Sequence, residues 1–112
     1  MLSMRRILLM TLLLPVMALG STASIAESKL QATIFSYDGK DFVRANTTMM
    51  DNGQSAAGTK LDHESAAYKA LVEKRSYTGP ATVFGGNYDT NYAPLTDKDG
   101  KLTGAIFVGV PK

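Results

Sequence analysis

Residues that commonly carry enzymatic chemistry are scarce in this chain. His63 is its one histidine, and it has no cysteine. A serine nucleophile needs an activating base in the same pocket, and no Gly-x-Ser-x-Gly segment or comparable context surrounds any serine. A transition-metal site would depend on carboxylates alone, and these are scattered along the sequence. We therefore expect a protein that is not an enzyme, with no cofactor and no metal, and with His63 solvated beside a helix start.

Binding chemistry has better candidates, on segments that alternate like strands. Arg44 carries a guanidinium that is either a solvated group on an outer face or a fork for a carboxylate. Tyr88, Thr90 and Tyr92 share one face of their strand. They form either an aromatic core stripe with its hydroxyls at the rim or the wall of a ligand pocket. The candidate ligand-binding residues are Arg44, Tyr77, Tyr88, Thr90 and Tyr92.

The elements that would position these residues are five strands and one helix. The strands are predicted over Leu30–Tyr37, Asp41–Thr48, Tyr77–Phe84, Tyr88–Leu95 and Leu102–Val110. The helix is predicted over Asp62–Lys74, with Asp62 or Ser65 as its N-cap. This order predicts an α+β fold, an antiparallel sheet of about five strands with one helix between the second and third strands.

Turns and alternation give finer expectations for the same sheet. Asp38-Gly39 predicts a two-residue hairpin, and Gly85-Gly86 separates the next pair of strands. Residues 49–60 are expected to form a polar loop with Asn52-Gly53 at its tip. Strict alternation in the second strand would put Phe42, Arg44 and Asn46 on one face.

The last third of the chain carries an ordered set of motifs. Phe84-Gly85 joins an aromatic residue to a glycine turn, and Tyr-x-Thr-x-Tyr-x-Pro follows over residues 88–94. An Asp-x-x-Gly turn covers residues 97–100, and Gly-x-hydrophobic-Phe-Val-Gly covers residues 104–109. This order resembles the C-terminal half of Cache domains, the extracellular sensor domains of bacterial chemoreceptors and sensor kinases. The closest variant is the Cache 3/Cache 2 type, and the similarity extends over residues 31–110.

The resemblance implies a PAS-like sheet that binds a small organic ligand, such as an organic acid, an amine or an amino acid. It also implies that the face holding Tyr88, Thr90 and Tyr92 lines the ligand pocket. Family members usually begin with a long helix after one transmembrane segment and end with a second segment and a signalling module. The chain is therefore interpreted as a free-standing, truncated domain that would need a membrane receptor or sensor kinase as its partner.

The beginning of the chain indicates export. Arg5 and Arg6 precede an apolar run of 13 residues, 7–19, and small residues follow up to a Ser-x-Ala ending. The apolar run is shorter than the roughly 20 residues of a spanning helix. We expect a secretory signal peptide over residues 1–26, cleaved after Ala26 or alternatively Ala23, or else retained as an anchor. Residues 27–112 would then form one periplasmic or secreted domain.

Charge and cysteine content limit the possible partners of that domain. The whole chain has 12 Lys+Arg and 10 Asp+Glu, and Arg5 and Arg6 leave with the signal peptide, so the remainder is formally neutral. No basic cluster indicates a nucleic-acid partner. Two functions stay open. One is a soluble small-molecule-binding module that acts through a membrane signalling partner. The other is an interaction protein that has lost ligand binding and docks a partner, or itself as a homodimer, through its sheet.

Overall fold

The structure is a computed structural model in which residues 30–112 are described. The predicted signal peptide and its cleavage sites lie outside the described residues. The strands are β1 (Gln31–Tyr37), β2 (Phe42–Thr47), β3 (Met50–Asp51), β4 (Gln54–Ser55), β5 (Tyr77–Val83), β6 (Gly86–Thr96) and β7 (Leu102–Pro111), and the helix is α1 (Ala66–Leu71).

Five of the strands form one antiparallel sheet in the order β2-β1-β7-β6-β5. The first and last strands of the sequence pair at its centre, where Ile34 lies opposite Ile106. The helix α1 comes between the second and third strands of this sheet. The predicted α+β class and the position of the helix are thus confirmed.

The turns follow the local chemistry, with two adjustments. The β5–β6 turn consists of Phe84 and Gly85, whose φ angles are 48° and 80°, so Gly86 belongs to β6 instead of the predicted Gly85-Gly86 turn. The β1–β2 loop has four residues instead of two, because the Asp38 carboxylate accepts hydrogen bonds from the Lys40 and Asp41 amides at 2.9 and 2.7 Å. Those two bonds also lower the pKa of Asp38.

The helix is shorter than the predicted Asp62–Lys74. The Asp62 carboxylate accepts a hydrogen bond from the amide of Glu64 at 2.9 Å, and this bond holds residues 62–64 in a turn before the helix. Ser65 is the N-cap, and its hydroxyl oxygen accepts from the amide of Tyr68 at 3.1 Å. Lys74 has a φ of 61°, which is incompatible with continuing the helix.

The predicted loop over residues 49–60 contains a small hairpin, so that prediction is wrong in part. Asn52 and Gly53 have φ angles of 53° and 80°, the mirror-image turn that lets β3 and β4 pair. Residues 58–61 then run beside β2, where the amides of Arg44 and Leu61 bond the carbonyls of Thr59 and Phe42 at 2.8 and 2.9 Å. This segment covers the outer edge of β2.

A β-bulge in β2 corrects the predicted alternation of that strand. Phe35 pairs with Arg44, but Ile34 pairs with Asn46, which leaves Ala45 unpaired. The extra residue reverses the alternation beyond it. Asn46 therefore faces the side opposite to Arg44, contrary to the prediction, and Thr47 faces the side of Arg44.

The two faces of the sheet differ in cover. The inner face carries Phe35, Phe42, Tyr92 and Phe107, all buried. The residues that pack over it from α1 and from the segments after β2 are buried as well: Met49, Ala56, Leu61, Ala67 and Leu71. The outer face includes Ala32, Ile34, Asp89, Ala93, Ile106, Val108 and Val110, and the large aliphatic residues among them are exposed. No described segment packs on the outer face.

Candidate functional site

All five candidate residues lie on the inner face, on three different strands. Arg44 comes from β2, Tyr77 begins β5, and Tyr88, Thr90 and Tyr92 alternate along β6. Arg44 is 5% exposed, so the alternative of a solvated outer-face arginine is wrong. The bulge at Ala45 lies immediately after it, a common device for aiming a side chain near a functional site.

The guanidinium of Arg44 is held between two aromatic rings. Its Cζ atom lies 5.2 Å from the centroid of the Phe35 ring and 4.7 Å from that of the Phe84 ring. Its Nη1 donates to the hydroxyl of Thr59 and to the carbonyl of Lys60, both at 3.1 Å. Cation–π contacts and two hydrogen bonds therefore fix the plane and one corner of the group.

The rest of the guanidinium has no partner among the described residues. Nη1 uses both of its hydrogens, whereas Nε and Nη2 make no hydrogen bond to any residue from 30 to 112. No carboxylate of this range pairs with Arg44. Burial lowers the pKa of Arg44, and the nearby Tyr92 opposes that shift, yet a guanidinium remains charged in proteins. The free Nε–Nη2 edge is the fork that binds a carboxylate through two parallel bonds.

Tyr92 supplies a second unpaired polar group beside Arg44. It is 2% exposed and packs against Phe35, Tyr77 and Phe107 with ring centroids 6.4, 6.3 and 4.9 Å away. Its hydroxyl has no hydrogen-bond partner in the described part of the chain. Burial raises the pKa of Tyr92 to about 12, although the Arg44 cation acts in the opposite direction. The phenol thus stays protonated at neutral pH and can donate a hydrogen bond.

The other three candidates have different surroundings. The Thr90 hydroxyl donates to the carbonyl of Gly79 at 2.7 Å, and the Tyr77 hydroxyl donates to that of Pro80 at 2.6 Å. Both donors are therefore engaged within the β5–β6 hairpin. Tyr88 is half-buried against the core. The structure brings Arg44 and Tyr92 together around Phe35 and places Tyr77 against Tyr92, whereas no hydrogen bond or ring contact joins Tyr88 or Thr90 to the guanidinium.

A small cleft opens next to Tyr77 and Tyr92. Its volume is about 180 Å³, and it lies between β5 and the start of α1, which contributes Ala66 and Ala67. Arg44 is not among its lining residues. Tyr92 lines this cleft, and its ring also packs against Phe35, the ring over which the guanidinium lies.

Sequence reasoning missed the residues that enclose Arg44. Phe35 sits opposite it on β1, and Thr59 comes from the segment that runs beside β2. Phe84 occupies a turn position with φ 48°, where Asn or Gly is usual and a bulky side chain is strained. A large aromatic residue at a two-residue turn was the one sequence signal that could have identified this position.

The side chain of His63 is 40% exposed, as expected for a solvated residue, but it is also paired. Its Nε2 lies 2.6 Å from Oδ1 of Asp41, and its ring stacks on Tyr68 with centroids 4.2 Å apart. Lys60 Nζ lies 3.5 Å from the other oxygen of the same carboxylate. The hydrogen bond from His63, followed by the charge of Lys60, lowers the pKa of Asp41 against the opposing effect of burial. This pair ties the start of β2 to the turn before α1. Within residues 30–112 no group of three metal-ligating side chains occurs.

Comparison with protein families agrees with this fold. A family model described as the Cache 3/Cache 2 fusion domain matches residues 21–112. The chain belongs to that family. Membership of this family implies, in general, an extracellular sensory domain. Searches of curated proteins and of solved structures gave no match. In the described range no helix has the length and hydropathy needed to cross a membrane.

Proposed function

We propose that this Cache domain binds a small organic acid through Arg44 and Tyr92. The observation that carries the proposal is the buried Arg44 cation, which has no counterion among residues 30–112 and has a free Nε–Nη2 edge. A charge removed from water costs free energy unless it is paired and hydrogen-bonded. A carboxylate would supply both the counterion and the missing acceptors.

Tyr92 gives the acid a second contact. Its protonated hydroxyl can donate to a carboxylate oxygen or to a polar substituent on the ligand. The cleft beside Tyr92 has a volume of about 180 Å³ and is not lined by Arg44, so only a small part of an acid held by the guanidinium could extend into it. Tyr77 and Tyr88 contribute ring surface, and the hydroxyls of Tyr77 and Thr90 hold the β5–β6 hairpin in place. An amine would meet a cation at Arg44 and is the less favourable ligand.

The cellular role that fits this site is sensing outside the cytoplasm. We propose export with cleavage after Ala26 and transmission of ligand binding through a membrane receptor or sensor kinase. Mass spectrometry of the periplasmic fraction should find a chain that begins at Glu27. A full-length chain in the membrane fraction would contradict cleavage and favour a tethered sensor.

The binding proposal is tested by a ligand screen with two arginine variants. Short organic acids, amino acids and amines are added to the purified protein, and the melting temperature is followed, since a ligand stabilises the fold by RT ln(1 + [L]/Kd). An acid should raise the melting temperature of the parent and of Arg75→Ala, whose arginine is exposed and pairs with Glu73. Arg44→Ala should lose the shift. A melting-temperature shift in both Arg44→Ala and Tyr92→Phe equal to that of the parent would contradict the site.

A second candidate function is an interaction protein without a ligand. The exposed aliphatic side chains of the outer face favour it. The two candidates give different outcomes in the same screen, because an interaction protein would show no shift with any acid, amino acid or amine. In that case co-purification of a partner, or self-association, would be the expected result.

A further inference from the structure

We propose that two copies of this chain associate by packing their outer faces together. The starting observation is the exposure of branched aliphatic residues there: Ile34, Ile106, Val108 and Val110 are 49%, 40%, 37% and 46% exposed. They lie on the two central strands, β1 and β7, so they form one continuous stripe. Ala32 and Ala93 extend the stripe on neighbouring positions. The proposal is independent of ligand binding at Arg44.

Charge on this face suits a second copy of the same surface. The five strands of the sheet contain only two charged residues, Arg44 and Asp89, and Arg44 points to the inner face. Asp89 lies opposite Val110 on β6, one strand away from the β1–β7 pair. A two-fold interface requires a surface that is complementary to itself. A nearly uncharged stripe meets that requirement, because apposing it with its copy brings no like charges together in the centre.

The position of Asp89 on this face also keeps the two Asp89 carboxylates of a symmetric dimer apart. With the two-fold axis along the central strands and through Ile106, Asp89 lies one strand spacing to the side, so the two carboxylates stay about 10 Å apart at ~4.8 Å per strand. With the axis across the strands they are farther apart still. Asp89 also lies opposite Val110, the penultimate residue of β7, so each carboxylate is near the end of the face along the strand direction.

The area of the outer face is large enough for a stable interface only if the whole face is buried. The five strands lie about 4.8 Å apart and pair over five to nine residues. At about 3.3 Å per residue the face measures roughly 550 Å² in projection. A standard interface buries about 800 Å² of accessible surface per partner. The accessible surface of this face approaches that value, because protruding side chains add area to its projection. On monomers, apolar patches beyond a few hundred Å² are uncommon. Two twisted sheets pack face to face about 10 Å apart, so the geometry is an ordinary sandwich.

The test measures the mass of the full chain in solution and compares two matched lysine variants. Val108 on the outer face and Val72 at the end of α1 are both 37% exposed. Sedimentation equilibrium should show a dimer for the parent and for Val72→Lys. Val108→Lys should raise the dissociation constant at least a hundredfold, about 2.8 kcal/mol at 1.4 kcal/mol per tenfold, because each dimer would bury two lysines.

A second pair of variants separates loss of association from loss of folding. Ile34→Thr and Ile106→Thr keep the branching at Cβ that suits a strand while removing apolar surface. Each should weaken the dimer while circular dichroism shows the parent's strand signal. A parent that is monomeric at all concentrations would overturn the proposal and leave the outer face to another segment of this chain or to a different partner. A dimer that is unaffected by Val108→Lys and both threonine variants would overturn it as well.

Discussion

The two faces of the sheet each carry one charged residue, and the residues are handled in opposite ways. On the inner face Arg44 is buried between aromatic rings without a counterion among the described residues. On the outer face Asp89 is exposed beside aliphatic side chains that are also exposed. Stability alone would favour an aliphatic residue at position 44, and solubility alone would favour polar residues at positions 106 and 108. Both faces therefore depart from the needs of a stable monomer, and each departure is suited to binding.

The largest difference between the faces should appear in stability. Phe107 is 2% exposed and Ile106, its neighbour on the opposite face, is 40% exposed. Phe107→Ala should lower the free energy of unfolding by about 3–5 kcal/mol, since it removes a core ring and leaves a cavity. Ile106→Ala should cost the monomer about 1 kcal/mol or less. Denaturant titration at a protein concentration below the dimer range measures both, and equal costs would contradict the assignment of faces.

The next effect concerns the inner-face charge. Arg44→Met keeps a long apolar stem and removes the cation, so an organic acid should bind at least tenfold more weakly, a loss of about 1.5–3 kcal/mol for a charge-assisted hydrogen bond. The unliganded variant should be about as stable as the parent, because relief from burying a cation with no carboxylate partner in residues 30–112 offsets the loss of its two hydrogen bonds and its contacts with Phe35 and Phe84. Calorimetric titration and thermal melting give the two quantities. Unchanged affinity would show that the ligand does not use this cation.

A smaller effect is expected at the phenol next to that charge. Tyr92→Phe removes a hydroxyl with no hydrogen-bond partner in the described part of the chain, so stability should not fall. Affinity for the acid should drop by about 0.5–1.5 kcal/mol, the contribution of one hydrogen bond from the hydroxyl to an uncharged substituent of the ligand. Thr90→Val is the contrasting variant: its hydroxyl bonds the Gly79 carbonyl, so stability should decrease while affinity changes little. The reverse pattern would show that Thr90 faces the ligand.

The smallest expected effect is on the acid dependence of stability, and it comes from the pairing of Asp41 with His63 rather than from either face of the sheet. The pKa of Asp41 is lowered in the folded state, chiefly by the hydrogen bond from His63, so the pair stabilises the fold above the ordinary aspartate pKa and that contribution disappears as the pH falls through the lowered value. Asp41→Asn should therefore flatten the loss of stability in acid. Asp89→Asn serves as the control, since its exposed carboxylate has no hydrogen bond to residues 30–112. Equal acid profiles for both variants would contradict a role for the pair.

Local chemistry made much of this fold predictable, whereas long-range effects did not. Turn residues such as Asn52-Gly53 and the alternation from Tyr88 to Tyr92 act over a few positions, so they can be interpreted from the chain alone. The bulge at Ala45 depends on which residue of β1 lies opposite, and the central β1–β7 pair joins opposite ends of the sequence. For the same reason the candidate list contained Arg44 and Tyr92 but missed Phe35, Phe84 and Thr59, which reach the guanidinium only through the tertiary fold.

The treatment of the sheet edges has a consequence for how far assembly can go. Residues 58–61 bond to the outer edge of β2, and Pro80 removes a backbone donor from β5 at the other edge. Strand-by-strand growth into fibres needs a free edge with a continuous row of donors and acceptors, and both edges of this sheet interrupt that row. When two copies pack face to face, both apolar faces are buried and no further copy can add to them, whereas each strand added at an edge exposes a new edge. The chain can therefore expose an apolar surface for pairing while both edges of its sheet remain protected from templated aggregation.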